Sequence, residues 1–86
     1  MGLWWLSFCD PAKPKGEQFL GVCLVEAPDY PSAIRRAWRK QCNPGGVIAG
    51  FDLPIAAMTN EKRVILAKAP RDTLLSKAQL DEYQLT

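Results

Sequence analysis

FLGVCLVEAPDYPSAIRRAWRKQCNPGGVIAGFDL, residues 19–53, reads as a strand, a helix and a strand in succession, and this reading decides the fold. Phe19 to Glu26 is an apolar run of strand length, the pattern of a strand covered on both faces. Gly21 inside it marks a bulge or the close approach of another group. Ala27-Pro28 ends the run, Asp29 suits a helix N-cap, and Pro31 is tolerated in the first turn because its missing N–H is not needed there. At helical spacing Ala33, Ile34, Ala37, Trp38 and Cys42 fall on one side, and Arg35, Arg36, Arg39 and Lys40 flank the other. Pro44 disfavours a helical Asn43, so the helix stops about there. Asn43-Pro44-Gly45-Gly46 fits a type II turn, with proline second and glycine third, where φ must be positive. Val47 to Leu53 is then a third strand, closed by Pro54.

Outward from this stretch, Leu3 to Phe8 is apolar up to Ser7, a strand covered on both faces in the middle of a sheet. Asp10 to Gln18, with two prolines and a glycine, cannot continue it and makes an antiparallel pairing with Phe19–Glu26 easy. Ile55 to Asn60 reads as a loop or a single turn. Arg63 to Lys68 suits a fourth strand or a short helix, and the strand is the expectation taken. Ser76 followed by Gln79 is a capping-box pattern that predicts a final helix over Lys77 to Tyr83. The order ββαβ predicts an α+β domain: a small sheet of three or four strands backed by helices on one face, with the first strand between the second and third.

The 86 residues suit a single domain with a modest core, to which a second copy could add burial. A hydrophobic content of 48% with 23% charged residues excludes a largely disordered chain. The net charge of +2 is too small for general nucleic-acid affinity, but the charge is uneven: four of eleven basic residues lie between Arg35 and Lys40. Arg35 and Arg39, and Arg36 and Lys40, are i,i+4 neighbours that repel by a few tenths of a kcal/mol, which an acidic partner would relieve. Cys9, Cys23 and Cys42 are odd in number and form no CxxC pair, which argues for small apolar side chains in a reducing compartment over a disulfide framework or zinc site. The apolar opening, GLWWLSFC, has no basic flank and is too short for a signal peptide or a membrane span, so a cytoplasmic location is expected.

The chain has no histidine, which removes the commonest general base, the Ser-His and Cys-His dyads and histidine metal sites. Its nine carboxylates are scattered, and those near strand ends, Asp10, Glu26, Asp29 and Asp52, suit caps and turns. The expectation is therefore a protein without catalytic residues, metal or cofactor. Gly45 and Gly46 either present successive N–H groups as an anion nest beside the basic helix or form a plain turn after a helix C-terminus, where cations suit the macrodipole. No Walker A ending follows them. Trp4 and Trp5 must point to opposite faces of their strand. One is expected under the helix with Trp38 and the other on the far face, as an interface anchor or a platform for a base.

WLSF at Trp5–Phe8, FLGVCLVEA at Phe19–Ala27 and CNPGG at Cys42–Gly46 resemble short uncharacterised proteins of bacteriophages and bacterial mobile elements. Such proteins are often counter-defence factors that occlude a defence protein or sequester a nucleotide signal. The resemblance implies that kind of role in the host cytosol. Combined with the residue reading, the expectation is a homo-oligomer without enzymatic activity that binds an anionic nucleotide-like ligand at a junction between copies. Its ligand residues are expected to be Arg35, Arg36, Arg39, Lys40, Asn43, Gly45, Gly46 and Trp5. The alternative is a protein inhibitor or adaptor that sets the basic helix against an acidic host surface. Nucleic-acid binding ranks third, and no membrane contact is expected.

Overall fold

The computed structural model describes residues 2–85. Its strands are β1 (Gly2–Cys9), β2 (Phe19–Ala27), β3 (Val47–Asp52) and a two-residue β4 (Leu74–Leu75). The helices are α1 (Tyr30–Arg39), α2 (Asn60–Lys68) and α3 (Lys77–Glu82), with a single 3-10 turn at Ile55–Ala57. All strand pairs are antiparallel and the sheet order is β3-β1-β2-β4, so β1 is flanked by β2 and β3 as the sequence predicts. The α+β class holds.

The register explains the faces. Trp4, Leu6 and Phe8 stand opposite Val25, Cys23 and Gly21, while Leu3, Trp5 and Ser7 stand opposite Glu26, Leu24 and Val22. Side chains alternate along each strand, so these are the two faces of the sheet. On the first, α1 lays Ala33 and Ala37 on Leu6, Phe8, Cys23 and Val25, all of them fully buried. On the second, Leu66 of α2 and Ala69 pack on Leu3 and Leu24, and Leu80 of α3 packs on Val22 and Leu75.

The helices thus lie on both faces, not on one. The physical reason is the apolar character of β1 and β2 on both sides, which requires cover twice. The other correction concerns Arg63 to Lys68, which belongs to helix α2 and not to a strand. Thr59 starts this helix by accepting the Lys62 N–H at 3.3 Å. The final helix has the expected capping box, with the Ser76 N–H donating to Gln79 Oε1 at 2.9 Å and the Gln79 N–H to Ser76 Oγ at 3.3 Å.

Gly21 fills both roles expected of it. The β1–β2 register shifts beside it, its φ is +136°, and a Cβ there would sit 2.8 Å from the Leu75 carbonyl oxygen. Trp4 lies on the α1 face, meets the Tyr30 ring in a tilted contact with centroids 5.7 Å apart, and donates its indole N–H to the Ala27 carbonyl at 3.1 Å. Trp38, expected beside it, is 57% exposed. Two alanines bring α1 close to the sheet, and Trp38, one residue beyond Ala37, is turned about 100° away from the contact.

Candidate functional site

Helix α1 is set by its ends. Asp29 accepts the Ser32 N–H at 2.8 Å, and hydrogen bonds from Ser32 hold the Asp29 carboxyl below its ordinary value. At the other end the Gln41 N–H bonds the Trp38 carbonyl and the Cys42 N–H bonds the Ala37 carbonyl, a Schellman ending with Gln41 left-handed at φ 59°. Cys42 then turns inward beside Cys23. Burial is the largest cause that pushes both thiols up, so they are protonated at neutral pH.

The basic residues of α1 divide into two groups. Arg36 lies at the margin of the core and makes a two-pronged ion pair with Asp72, Nε to Oδ1 at 2.8 Å and Nη2 to Oδ2 at 2.9 Å. This contact raises the Arg36 pKa further. Asp72 is itself fixed, since its N–H donates to the Leu24 carbonyl at 2.9 Å. Arg36 therefore joins α1 to the segment that wraps the β2 edge and is not on the outer flank with the other cations. Arg35 turns back toward the helix N-terminus and donates to Ser32 Oγ at 3.0 Å. Arg39 and Lys40 are exposed at the C-terminal end, beside exposed Trp38.

In the turn that follows, Gly45 and Gly46 are both left-handed, at φ 88° and 77°. Glycine at the third position of Asn43–Gly46 has the positive φ that a type II turn requires. The Gly45 N–H donates to Asn43 Oδ1 at 2.8 Å, so one of the two nest donors is already used. Asn43 Nδ2 is buried without a hydrogen-bond partner, a donor left over. A Cβ on Gly45 would meet nothing within 4 Å, whereas one on Gly46 would collide with the Cys9 carbonyl. Gly46 is thus required by close packing of the turn on the end of β1.

Chain direction brings further cations to this place. β1 ends, β2 begins, α1 ends and β3 begins at the same end of the sheet, because β1 is antiparallel to both neighbours. The Asp10–Gln18 loop, closed by a 2.7 Å bond from the Asp10 N–H to the Gln18 carbonyl, therefore sits at the end that carries the glycine turn. It adds exposed Lys13 and Lys15, with Asp10 and Glu17 as the acids of the loop. The sequence reading missed both lysines, although the antiparallel hairpin it inferred contains the signal.

Trp5 is not brought to this end of α1. It lies on the opposite face of the sheet, stacked on Phe51 with ring centroids 6.3 Å apart and planes 23° from parallel. There it borders a cavity of about 200 Å³ lined also by Leu53, Met58, Lys62, Ile65, Leu66 and Leu85. Two other arginines serve carbonyl groups: Arg63 donates to Ile55 and Ala56, and Arg71 to Leu66 and Ala69.

Among the described residues no three His, Cys, Asp or Glu side chains are grouped to hold a metal, and no helix is long and apolar enough to cross a membrane. The chain matches no protein-family model, no curated protein and no solved structure.

Proposed function

We propose that this chain is a non-enzymatic binding protein that holds an anionic, nucleotide-like ligand at the cationic end of its sheet, at the border between copies. The observation that supports this reading is topological: the chain directions put the loop with exposed Lys13 and Lys15, the end of α1 with exposed Arg39 and Lys40, and the left-handed Gly45–Gly46 turn at one end of the sheet. Phosphate would pair with Arg39 and Lys40, and the unused Asn43 Nδ2 donor is within the same turn. Arg36 drops from the ligand set because Asp72 occupies it, and Arg35 because it turns toward Ser32. Trp38, exposed and adjacent to Arg39, replaces Trp5 as the platform for a base. The resemblance to phage and mobile-element proteins fits a sponge that sequesters a nucleotide immune signal in the host cytosol.

The test is a melting-temperature screen against cyclic nucleotides and ADP-ribose derivatives. A ligand at a hundredfold its dissociation constant adds about 2.7 kcal/mol, a shift of roughly 15 °C in a chain of this size. Arg39→Ala with Lys40→Ala should remove the shift and leave the unliganded melt in place. Absence of any shift across the panel, or an unchanged shift in the double variant, would sink the proposal.

A second reading has its own observation. Trp38 stands exposed between Arg35 and Arg39, and tryptophan with arginine is the composition of protein hot spots. An inhibitor or adaptor that docks this flank on an acidic protein would give no nucleotide shift. It would instead capture a host protein in a complex lost with Trp38→Ala.

A further inference from the structure

Strand β3 forms one edge of the sheet, and no other described strand pairs with its outer side. Its backbone directions can be read from one bond. The Leu53 N–H donates to the Leu3 carbonyl at 2.8 Å, which continues the β1–β3 register beyond Trp4↔Asp52. Hydrogen-bonding direction alternates along a strand, so Val47, Ala49 and Phe51 bond inward to β1, and Ile48, Gly50 and Asp52 present N–H and C=O groups outward. Such an edge is a template for another strand. Natural edges are usually blunted by lysine, proline or a bulge, yet VIAGFD contains none of these, and its β1 register is unbroken.

The side chains agree with the backbone. Val47, Ala49 and Phe51 share the face turned away from α1, and Val47 and Phe51 are 54% and 53% exposed. That face is apolar along the whole strand, and the only charge on β3 is Asp52, on the α1 face.

We infer that the β3 edge pairs with β3 of a second copy of this chain, antiparallel about a two-fold axis at Ala49. In this register Ile48 stands opposite Gly50 of the second copy as a hydrogen-bonded pair. Val47 stands opposite Phe51 of the second copy, a β-branched residue against an aromatic. Two four-stranded sheets become one of eight strands. Charge selects a second copy as the occupant. Antiparallel pairing puts Asp52 opposite Gly46 of the second copy, at the end where that copy's Arg39 and Lys40 close helix α1, and the contact repeats about the axis. The two Asp52 carboxylates are kept at opposite ends of the seam. A copy of the chain thus supplies hydrogen bonds, apolar cover and opposite charge together.

The inference specifies the border between copies named in the ligand reading but does not need the ligand. The carboxylate of Asp52 would contend with an anion for the same cations, so the association is measured without nucleotide. Sedimentation of the whole chain over a range of concentrations should show a monomer–dimer equilibrium, weakened by added salt. Ala49→Lys, which sets two like charges face to face at an exposed position, should raise the dissociation constant at least tenfold with an unchanged circular-dichroism spectrum. In a Cys9→Ser background, Ala49→Cys should crosslink two copies on mild oxidation, since facing residues of a non-hydrogen-bonded pair are about 4.5 Å apart. Phe51→Cys in that background should not, because its counterpart lies four residues along the seam. A wild-type monomer at every concentration, a dimer indifferent to Ala49→Lys, or equal crosslinking at both positions would overturn the inference. A monomer would remove the border between copies from the ligand reading but leave its cationic end to be tested by the nucleotide screen, and failure of that screen leaves the dimer standing.

Discussion

The two faces of the sheet are built differently. The α1 face is closed: Leu6, Phe8, Cys23, Val25, Ala33 and Ala37 have 0% exposure, Asp29 and Gln41 finish the helix ends, and Arg36 bolts it to Asp72. The other face is closed only in part. Helix α2 contributes one buried residue, Leu66, Trp5 borders an open cavity, and Val47, Phe51 and Phe19 remain exposed. The difference teaches that α1 supplies the stable platform on which the cationic end is displayed. The incomplete face and its edge strand are where further burial can be gained.

The largest expected effect that tests this contrast is chemical. Cys23 and Cys42 lie in the α1 core, their thiols pushed up by burial, whereas Cys9 is half-buried on the register positions of the other face. With a thiol reagent at neutral pH, Cys9 should react alone. Cys23 and Cys42 should follow about a thousandfold more slowly or worse, through unfolding. Simultaneous reaction of all three, followed by mass spectrometry, would show that the α1 face opens as readily as its opposite.

Truncation gives the next effect. Phe8→Ala, on the closed face, should cost about 4 kcal/mol in urea unfolding, and Leu66→Ala, at 7% exposure on the looser face, nearer 2 kcal/mol. Equal costs would erase the contrast. A changed denaturant slope for Leu66→Ala alone would sharpen it, by showing that α2 comes away before the rest.

How much of this was legible follows the same divide. The ββαβ frame and the α1 ends were readable because prolines at 28, 44 and 54 punctuate the apolar runs and because Asp29 and Ser76 announce helices. Two-sided cover of the sheet was also written in the sequence, in the unbroken apolar run of β2, although one-sided helices were inferred from it. Helix α2 was missed because Val64 and Ile65 favour a strand and only Leu66 among its residues is buried. The cue was Thr59, a cap three residues before Lys62. The Arg36–Asp72 pair spans 36 positions, and nothing local in a sequence marks such a partner. The engagement of Arg36 by Asp72, and the position of Trp5 on the face opposite α1 while Trp38 stands exposed, are set by the tertiary fold and have no local mark.

The two glycines of the turn separate platform from display. Gly46→Ala brings a Cβ onto the Cys9 carbonyl at a left-handed φ and should cost about 3 kcal/mol, the sum of overpacking and backbone strain. Gly45→Ala has the strain without the collision and should cost about 1 kcal/mol. Thermal unfolding of both variants checks the order. A reversed order would detach the turn from the end of β1, the end of the sheet that also carries the Asp10–Gln18 loop and the close of α1.

The smallest effect is a gain, and it compares the faces at matched positions. Gln41 after α1 and Gln84 after α3 are both left-handed, at φ 59° and 62°, and both close Schellman endings, with Cys42 bonded to Ala37 and Leu85 to Leu80. Glycine suits that conformation better than glutamine. Gln41→Gly and Gln84→Gly should therefore each stabilise by about 0.5–1 kcal/mol if their helices stay docked until global unfolding. On the closed face the full gain is expected. A gain for Gln41→Gly with none for Gln84→Gly would mean that α3 is released ahead of the transition that unfolds α1, so that its cap no longer counts. Equal gains would mean that α3, unlike α2, belongs to the same cooperative unit as α1, which confines the loose part of the molecule to α2 and the cavity beside Trp5.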